Sequence, residues 1–298
     1  MAATSTTHES KAHGIIVGVD GSPASRVATD WAARDAALRH LPLTIVHVLP
    51  EQTGAWIDLP AADYWEDCER EGKQIIADAL HVVADAVPEA QGLRVESHML
   101  PGVAAPRLVE MSKDADMIVV GCRGVSRLAR LLLGSVSSGL IHHAHCPVAI
   151  IHDEDPLMDH PATAPVIVGI DGSPASELAT AIAFDEASRR GVELVAIHSW
   201  INSADFDADV PRESFQAKAE EQLAERLAGW SERYPDVIVH RQVEKDNPIH
   251  RLLRESERAQ LLVVGSHGYG GFTGAILGSV SSAVAQAARM PVIVARQS

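Results

Sequence analysis

Short apolar runs alternate with longer stretches of helical spacing along the whole chain. Residues 15–19 (IIVGV), 43–48 (LTIVHV), 117–121 (MIVVG) and 147–151 (PVAII) are almost continuously apolar. Such runs predict strands covered on both faces, as in a parallel sheet, and a further strand is expected near 93–99 (LRVESHM). Trp31, Ala32, Asp35 and Leu38 recur at helical spacing, which predicts a helix from about Ala24 to Arg39. Its start is marked by Asp20-Gly21-Ser22-Pro23, with Ser22 as N-cap and Pro23 in the first helical position. Ile75, Ile76, Leu80 and Val83 predict an amphipathic helix over 64–86, and further helices are expected near 104–113 and over 136–143. Residues 49–63 are polar and Pro-bearing, and no period fixes their conformation.

After an acidic, Pro-containing stretch (153–164, DEDPLMDHPATA) the order restarts. VIVGIDGSPASELAT (166–180) repeats IIVGVDGSPASRVAT (15–29), with Asp171 and His198 lying 151 positions beyond Asp20 and His47. Gly265 and the final strand 291–295 (PVIVA) lie 144 positions beyond their counterparts, so the second copy is seven residues shorter in its middle. A duplicated domain is the plain reading. The expected division is a disordered tail over 1–13, domains at 14–152 and 165–298, and a linker at 153–164. The βα alternation predicts an α/β fold of two tandem doubly wound parallel sheets, each in the order 3-2-1-4-5. In that order the chain reverses its progression between strands 1 and 4, and ligands bind beyond the carboxyl ends of those strands. Asp20 and Gly121 therefore meet at one site, and Asp171 and Gly265 at another.

The stretch that promises chemistry is GCRGVSRLARLLLGS (121–135), with its partner GSHGYGGFTGAILGS (265–279). Each joins a buried strand to a small-residue helix (136–143; 280–288) in the pattern Gly-x2-Gly-x9-Gly-Ser. Glycine permits close approach of a ligand to backbone, and the free N–H groups of a helix start make an anion site. Two copies in equivalent places argue for a phosphate cradle. Neither is G-x-x-x-x-G-K-[ST] nor G-x-G-x-x-G, since Thr273 stands where the third Gly would fall.

This spacing resembles the nucleotide-binding signature of the ATP-binding branch of the universal stress protein family, and both copies match at every fixed position. The resemblance runs from Gly14 to Gln297 and suggests the tandem, actinobacterial type. It implies an adenine-nucleotide α-hydrolase-like fold, ATP as ligand, and a role in stress, hypoxia or growth control. It places Gly18 with Val48, and Gly169 with Ser199, against the adenine, and Asn202 near the nucleoside. Around the phosphates it places Gly121, Gly124, Gly134, Ser135 and Val136; Cys122, Val125 and Ser126 share that loop, Arg123 and Arg127 can add charge there, and Ser137 a hydroxyl. The second copy supplies Gly265, Ser266, His267, Gly268, Tyr269, Gly270, Gly271, Gly278, Ser279, Val280 and Ser281. Asp20 and Asp171 are assigned to ribose or to a Mg²⁺, against the alternative that they only form turns. Family members often carry Arg where Tyr269 stands.

Composition narrows the rest. A formal charge of −15 argues against nucleic acid as partner and means that an anionic ligand is held by local dipoles. Three cysteines in 298 residues are no disulfide framework, which points to a reducing, cytoplasmic setting. The segment MAATSTTHESKAHG has no apolar signal-peptide core, and no run reaches the length of a membrane span. Cys122 reads as a small packed residue sooner than a redox thiol. His142, His143, His145 and Cys146 read as solvated or packed, because a helix end followed by a strand scatters them.

The first cradle carries Arg123, Arg127 and Arg130 where the second has only His267, so inequivalent sites are expected. No G-x-S-x-G or H-E-x-x-H occurs, and neither cradle holds a water-positioning base. The leading reading is an ATP-gated regulatory module with an unknown protein partner. A slow ATPase or nucleotidyl-transfer enzyme, and an interaction protein with a vestigial second site, are the rivals. The short, apolar fifth strands are expected at sheet edges, where two domains or two chains pair, and a homodimer through that edge is expected.

Overall fold

The computed structural model describes residues 11–51, 61–88, 92–123, 133–152, 162–199, 212–268 and 277–296. Most of the expected tail and linker, and the residues following Arg123 and Gly268 in the cradles, lie outside this set. Lys11 and His13, expected in the tail, are tied to the approach to the fourth strand. Lys11 N donates to Asp116 Oδ2 (3.2 Å) and His13 N to Asp114 O (3.1 Å).

The first half runs β1 (Ile15–Gly18), α1 (Pro23–Arg39), β2 (Leu43–Leu49), α2 (Ala61–Ala86), β3 (Val95–Pro101), α3 (Ala104–Met111), β4 (Met117–Gly121), α4 (Ser135–His143) and β5 (Val148–Ile151). The second repeats it as β6 (Val166–Gly169), α5 (Pro174–Arg190), β7 (Leu194–Ser199), α6 (Arg212–Arg233), β8 (Val239–Glu244), α7 (Pro248–Ser256), β9 (Leu261–Gly265), α8 (Ser279–Ala287) and β10 (Val292–Ala295). Ser22 and Ser173 cap α1 and α5 by accepting from Ser25 N and Ser176 N, with proline next in line. Both helices end in a left-handed residue, Gly191 (φ 63°) after α5 but His40 (φ 55°) after α1.

The ten strands among the described residues form one sheet in the order β3-β2-β1-β4-β5-β10-β9-β6-β7-β8. Each half shows the expected 3-2-1-4-5 order with parallel neighbours, and the halves meet where β5 runs antiparallel to β10, Ala149 opposite Ile293. The pairing of two domains through strand 5 is therefore internal to the chain. This corrects the expected homodimer through that edge: β4 and β10 already occupy both sides of β5, and β9 and β5 both sides of β10. The outermost strands are β3 and β8. Because the halves run oppositely, the carboxyl ends of β1 and β4 lie at one rim of the sheet and those of β6 and β9 at the other.

Alternate strand residues point to opposite faces, as Ile15 and Val17 do against Ile16. One face packs on α1, α2, α5 and α6 and the other on α3, α4, α7 and α8, and both cores run through the β5–β10 junction. At the junction α1 lies against α5, and four charged residues are enclosed between them. Asp35 and Glu186 are each 1% exposed. Arg39 bonds Asp35 (2.8 Å) and crosses to Glu186, while Arg190 bonds Glu186 (2.8 Å) and crosses to Asp35 (2.9 Å). Among the described residues no helix is long and apolar enough to cross a membrane.

Candidate functional site

Each half carries a cavity at the carboxyl ends of its first and fourth strands. In the first half it measures about 270 Å³, with Gly18, Asp20, His47, Val48, Leu108, Gly121, Arg123, Gly134, Ser135, Val136 and Ser137 among its walls. In the second it measures about 720 Å³, with Gly169, Asp171, Ser199, Leu252, Gly265, His267, Gly268, Gly278, Ser279, Val280 and Ser281.

The ends of α4 and α8 give each cavity its polar wall. Gly134 and Gly278 occupy the N-caps, and among the described residues no side chain accepts from the first-turn amides. Ser22, Ser173 and Asn247 supply such an acceptor to α1, α5 and α7, whereas α3 starts from Val103 without one. A helix start without an acceptor leaves N–H groups for something else. The opposite wall comes from the β1–β2 or β6–β7 ends and from α3 or α7. His47 and His198 are held alike, Nδ1 against Val19 O at 2.8 Å and against Ile170 O at 2.7 Å. Leu108 and Leu252 close the apolar end; sequence reasoning missed them, although they are related by the same 144-residue offset as the cradles.

Several assigned residues act differently from expectation. Cys122 and Ser266 do not line the cavities. Both are buried, and their carbonyls accept from Gly134 N and Gly278 N, each at 2.8 Å, so they shape the loop through backbone. Ser137 and Ser281 line the walls, but their hydroxyls donate inward. Ser137 Oγ lies 3.0 Å from Cys122 O and Ser281 Oγ bonds Gly265 O, which ties each helix to its strand end instead of offering a proton to phosphate.

Gly121 and Gly265 are glycine for packing: a Cβ would stand 2.8 Å from Ala24 or Ala175 backbone carbon. A Cβ on Gly268 would collide with Asp171 Oδ2. Gly134 differs, since a Cβ there meets nothing nearer than 3.4 Å.

Asp20 and Asp171 do form turns, Oδ1 accepting from Ser22 N (3.0 Å) and Ser173 N (2.9 Å). One carboxylate oxygen in each site is thereby engaged. Among the described residues no three metal-ligating side chains converge, at these aspartates or around His142, His143, His145 and Cys146. The donor set fits a Mg²⁺ held mainly by phosphates and water, with one carboxylate at most.

Arginine is not confined to the first half. Arg226 of α6 donates to Gly172 O (3.1 Å) over the turn that carries Asp171, where Ile75 covers Gly21 in the first half. Gly124, Val125, Ser126, Arg127, Asn202, Tyr269, Gly270 and Gly271 lie outside the described residues.

The universal stress protein family profile fits residues 12–152 and 163–296, one match to each half of the sheet. The chain belongs to the universal stress protein family. Universal stress protein Rv2623 of Mycobacterium tuberculosis is 54% identical over 292 residues, 96% of this chain and 97% of that protein. Universal stress protein Rv2005c of the same organism is 53% identical over 296 residues, covering 97% and 98%. The crystal structure of a universal stress protein from Archaeoglobus fulgidus matches with a TM-score of 0.70 at 23% identity over 96% of this chain and 98% of that one, a likeness of fold. The two universal stress repeats of this chain carry corresponding cavities of unequal size, one on each rim.

Proposed function

We propose that each half binds one adenine nucleotide, with ATP as the ligand, and that the chain is a nucleotide-dependent regulatory module of the stress response. The observation that carries this reading is the pair of glycine-capped helix starts, α4 and α8, opening on cavities where α1, α5 and α7 are closed by side-chain caps. The amides of Ser135 and Val136, or of Ser279 and Val280, bind the phosphates with the helix dipole behind them. Side-chain-free Gly18 and Gly169 leave a flat floor for the base beside Leu108 and Leu252. Asp20 and Asp171 face the ribose and, with the phosphates, a Mg²⁺. Arg123 adds charge at the first site, against a chain of net charge −15.

Isothermal titration calorimetry of the full chain with ATP, ADP and GTP, with Mg²⁺ and with chelator, tests it. Two ATP per chain, with preference over GTP, is the expected result; no heat with any adenine nucleotide would overturn the reading. ADP release is expected to take hours. Turnover of ~1 s⁻¹ or more would instead make the chain an ATPase.

A further inference from the structure

The antiparallel junction places the end of each fifth strand beside the start of the other, Val294 opposite Val148 and Val292 opposite Ile150. The residue that follows each strand therefore arrives at the C-terminal end of the other half's cradle helix. Arg296, after β10, donates from Nη1 to Ile141 O (2.7 Å) and from Nε to Ala144 O (3.1 Å), both at the end of α4. His152, after β5 and buried, sets Nε2 3.1 Å from Ala285 O in the last turn of α8 and Nδ1 3.2 Å from Met290 O just beyond it. Arg296 and His152 occupy the same place in the repeat, 144 positions apart. Among the described residues no carboxylate pairs with Arg296, and burial pushes its pKa below the usual arginine value. Its counter-charge is the carbonyl end of α4, where the helix dipole is negative.

From this geometry we infer that Arg296 is a positioning residue for the first half's anion site, supplied by the second half, and that His152 does the same for the second site. The inference rests on the nucleotide reading above. α4 has nine residues, so the cation grips it ~13 Å from the amides that face the cavity. Among the described residues no side chain caps its other end, and the grip on its last carbonyls sets the axial position and tilt with which Ser135 and Val136 present their N–H groups. Arginine can donate to both carbonyls at once. The imidazole of His152 sets one nitrogen against each of two carbonyls, and its protonation decides whether it donates to one or to both.

The test uses the full chain in two single-site backgrounds. Ser279→Asp or Ser135→Asp puts a carboxylate at one anion site, at a helix position that tolerates acids. With Ser279→Asp, adding Arg296→Met is expected to weaken ATP binding at the first site about three- to tenfold, and Arg296→Lys to restore most of it. With Ser135→Asp, Arg296→Met is expected to change the second site less than twofold, whereas His152→Leu weakens it. Amide exchange without nucleotide is expected to quicken over 135–144 in Arg296→Met while 279–288 is unchanged.

Unchanged exchange in α4, unchanged affinity at the first site, or equal losses at both sites overturn the inference. Absence of ATP binding by the unsubstituted chain overturns the nucleotide reading itself, and the two failures are thereby told apart.

Discussion

Asp35 and Arg190, 155 positions apart, are joined by a 2.9 Å hydrogen bond between α1 and α5. Repeat symmetry returns the contact from Arg39 to Glu186, so two carboxylates and two guanidiniums close a buried ring at the junction.

The ring makes stability depend on pH. Burial, then the charge of Glu186, raises the pKa of Asp35 to about 6 against the pull of Arg39 and Arg190. Burial also acts to raise Glu186, but Arg39 and Arg190 overcome it and hold Glu186 at about 2. A raised carboxyl favours the folded state below its unfolded value and loses that contribution as pH rises through the folded value. Denaturant stability is therefore expected to fall by about 2–3 kcal/mol more in the native chain than in Asp35→Asn between about pH 4 and 6.5. Glu186 acts in the opposite sense: its contribution is present above its ordinary value and is lost as pH falls through about 2. Parallel pH profiles for the two proteins would show that Asp35 is ionised throughout.

His40 holds a left-handed conformation that its repeat counterpart gives to Gly191. His40→Gly is expected to gain about 0.5–1 kcal/mol in urea denaturation, because a non-glycine residue is strained there. A loss would mean that the His40 side chain makes a compensating contact.

The signature glycines separate by role. Gly121→Ala and Gly265→Ala drive a methyl to 2.8 Å from helix backbone, with an expected cost of about 1–3 kcal/mol whether or not nucleotide is present. Gly134→Ala meets ordinary contacts on an extended backbone (φ −63°, ψ 162°) that alanine also adopts, so stability is expected to change by less than about 1 kcal/mol. Its methyl stands at the cavity wall, and ATP affinity is expected to drop severalfold. Calorimetry beside denaturation distinguishes the two; a Gly134→Ala chain with unchanged affinity would place the phosphates elsewhere.

Charge at the two sites differs, with Arg123 in the first wall where His267 stands in the second. In a Ser279→Asp chain, Arg123→Gln is expected to lose about ten- to a hundredfold in ATP affinity with chelator present, as for one charge-assisted contact. Mg²⁺ should narrow the loss. No effect would mean that Arg123 faces away from the nucleotide.

The apolar runs marked the central strands to within a residue, because parallel strands covered on both faces leave no polar interruption. The Ser22-Pro23 start was equally readable, since capping is local chemistry. β3 begins at Val95, two residues later than Leu93, because a mixed edge sequence carries little periodicity. Asp35 falls on the spacing of Trp31, Ala32 and Leu38, but nothing local marks Arg39, Glu186 and Arg190 as its partners, and α1 must lie on α5 before the four are enclosed. The cradle glycines announced a site but not their separate duties, since Gly121 is demanded by Ala24, nearly a hundred residues away. Arg296 and His152 share no chemistry a repeat search would align, and their common place appears once β5 and β10 pair.

A junction written inside one chain also changes how the two halves are free to vary. In a symmetric pair of identical subunits each surface must complement itself, and every substitution enters twice. Here β5 meets β10, Asp35 answers Arg190 and Arg296 stands where its counterpart is His152, so a change on one side requires an answer on the other side once. The covalent tether also keeps the halves together at an effective concentration independent of how much protein is made. One rim of the sheet can therefore drift towards a different ligand affinity while the other keeps its own, and the shared core holds both in register.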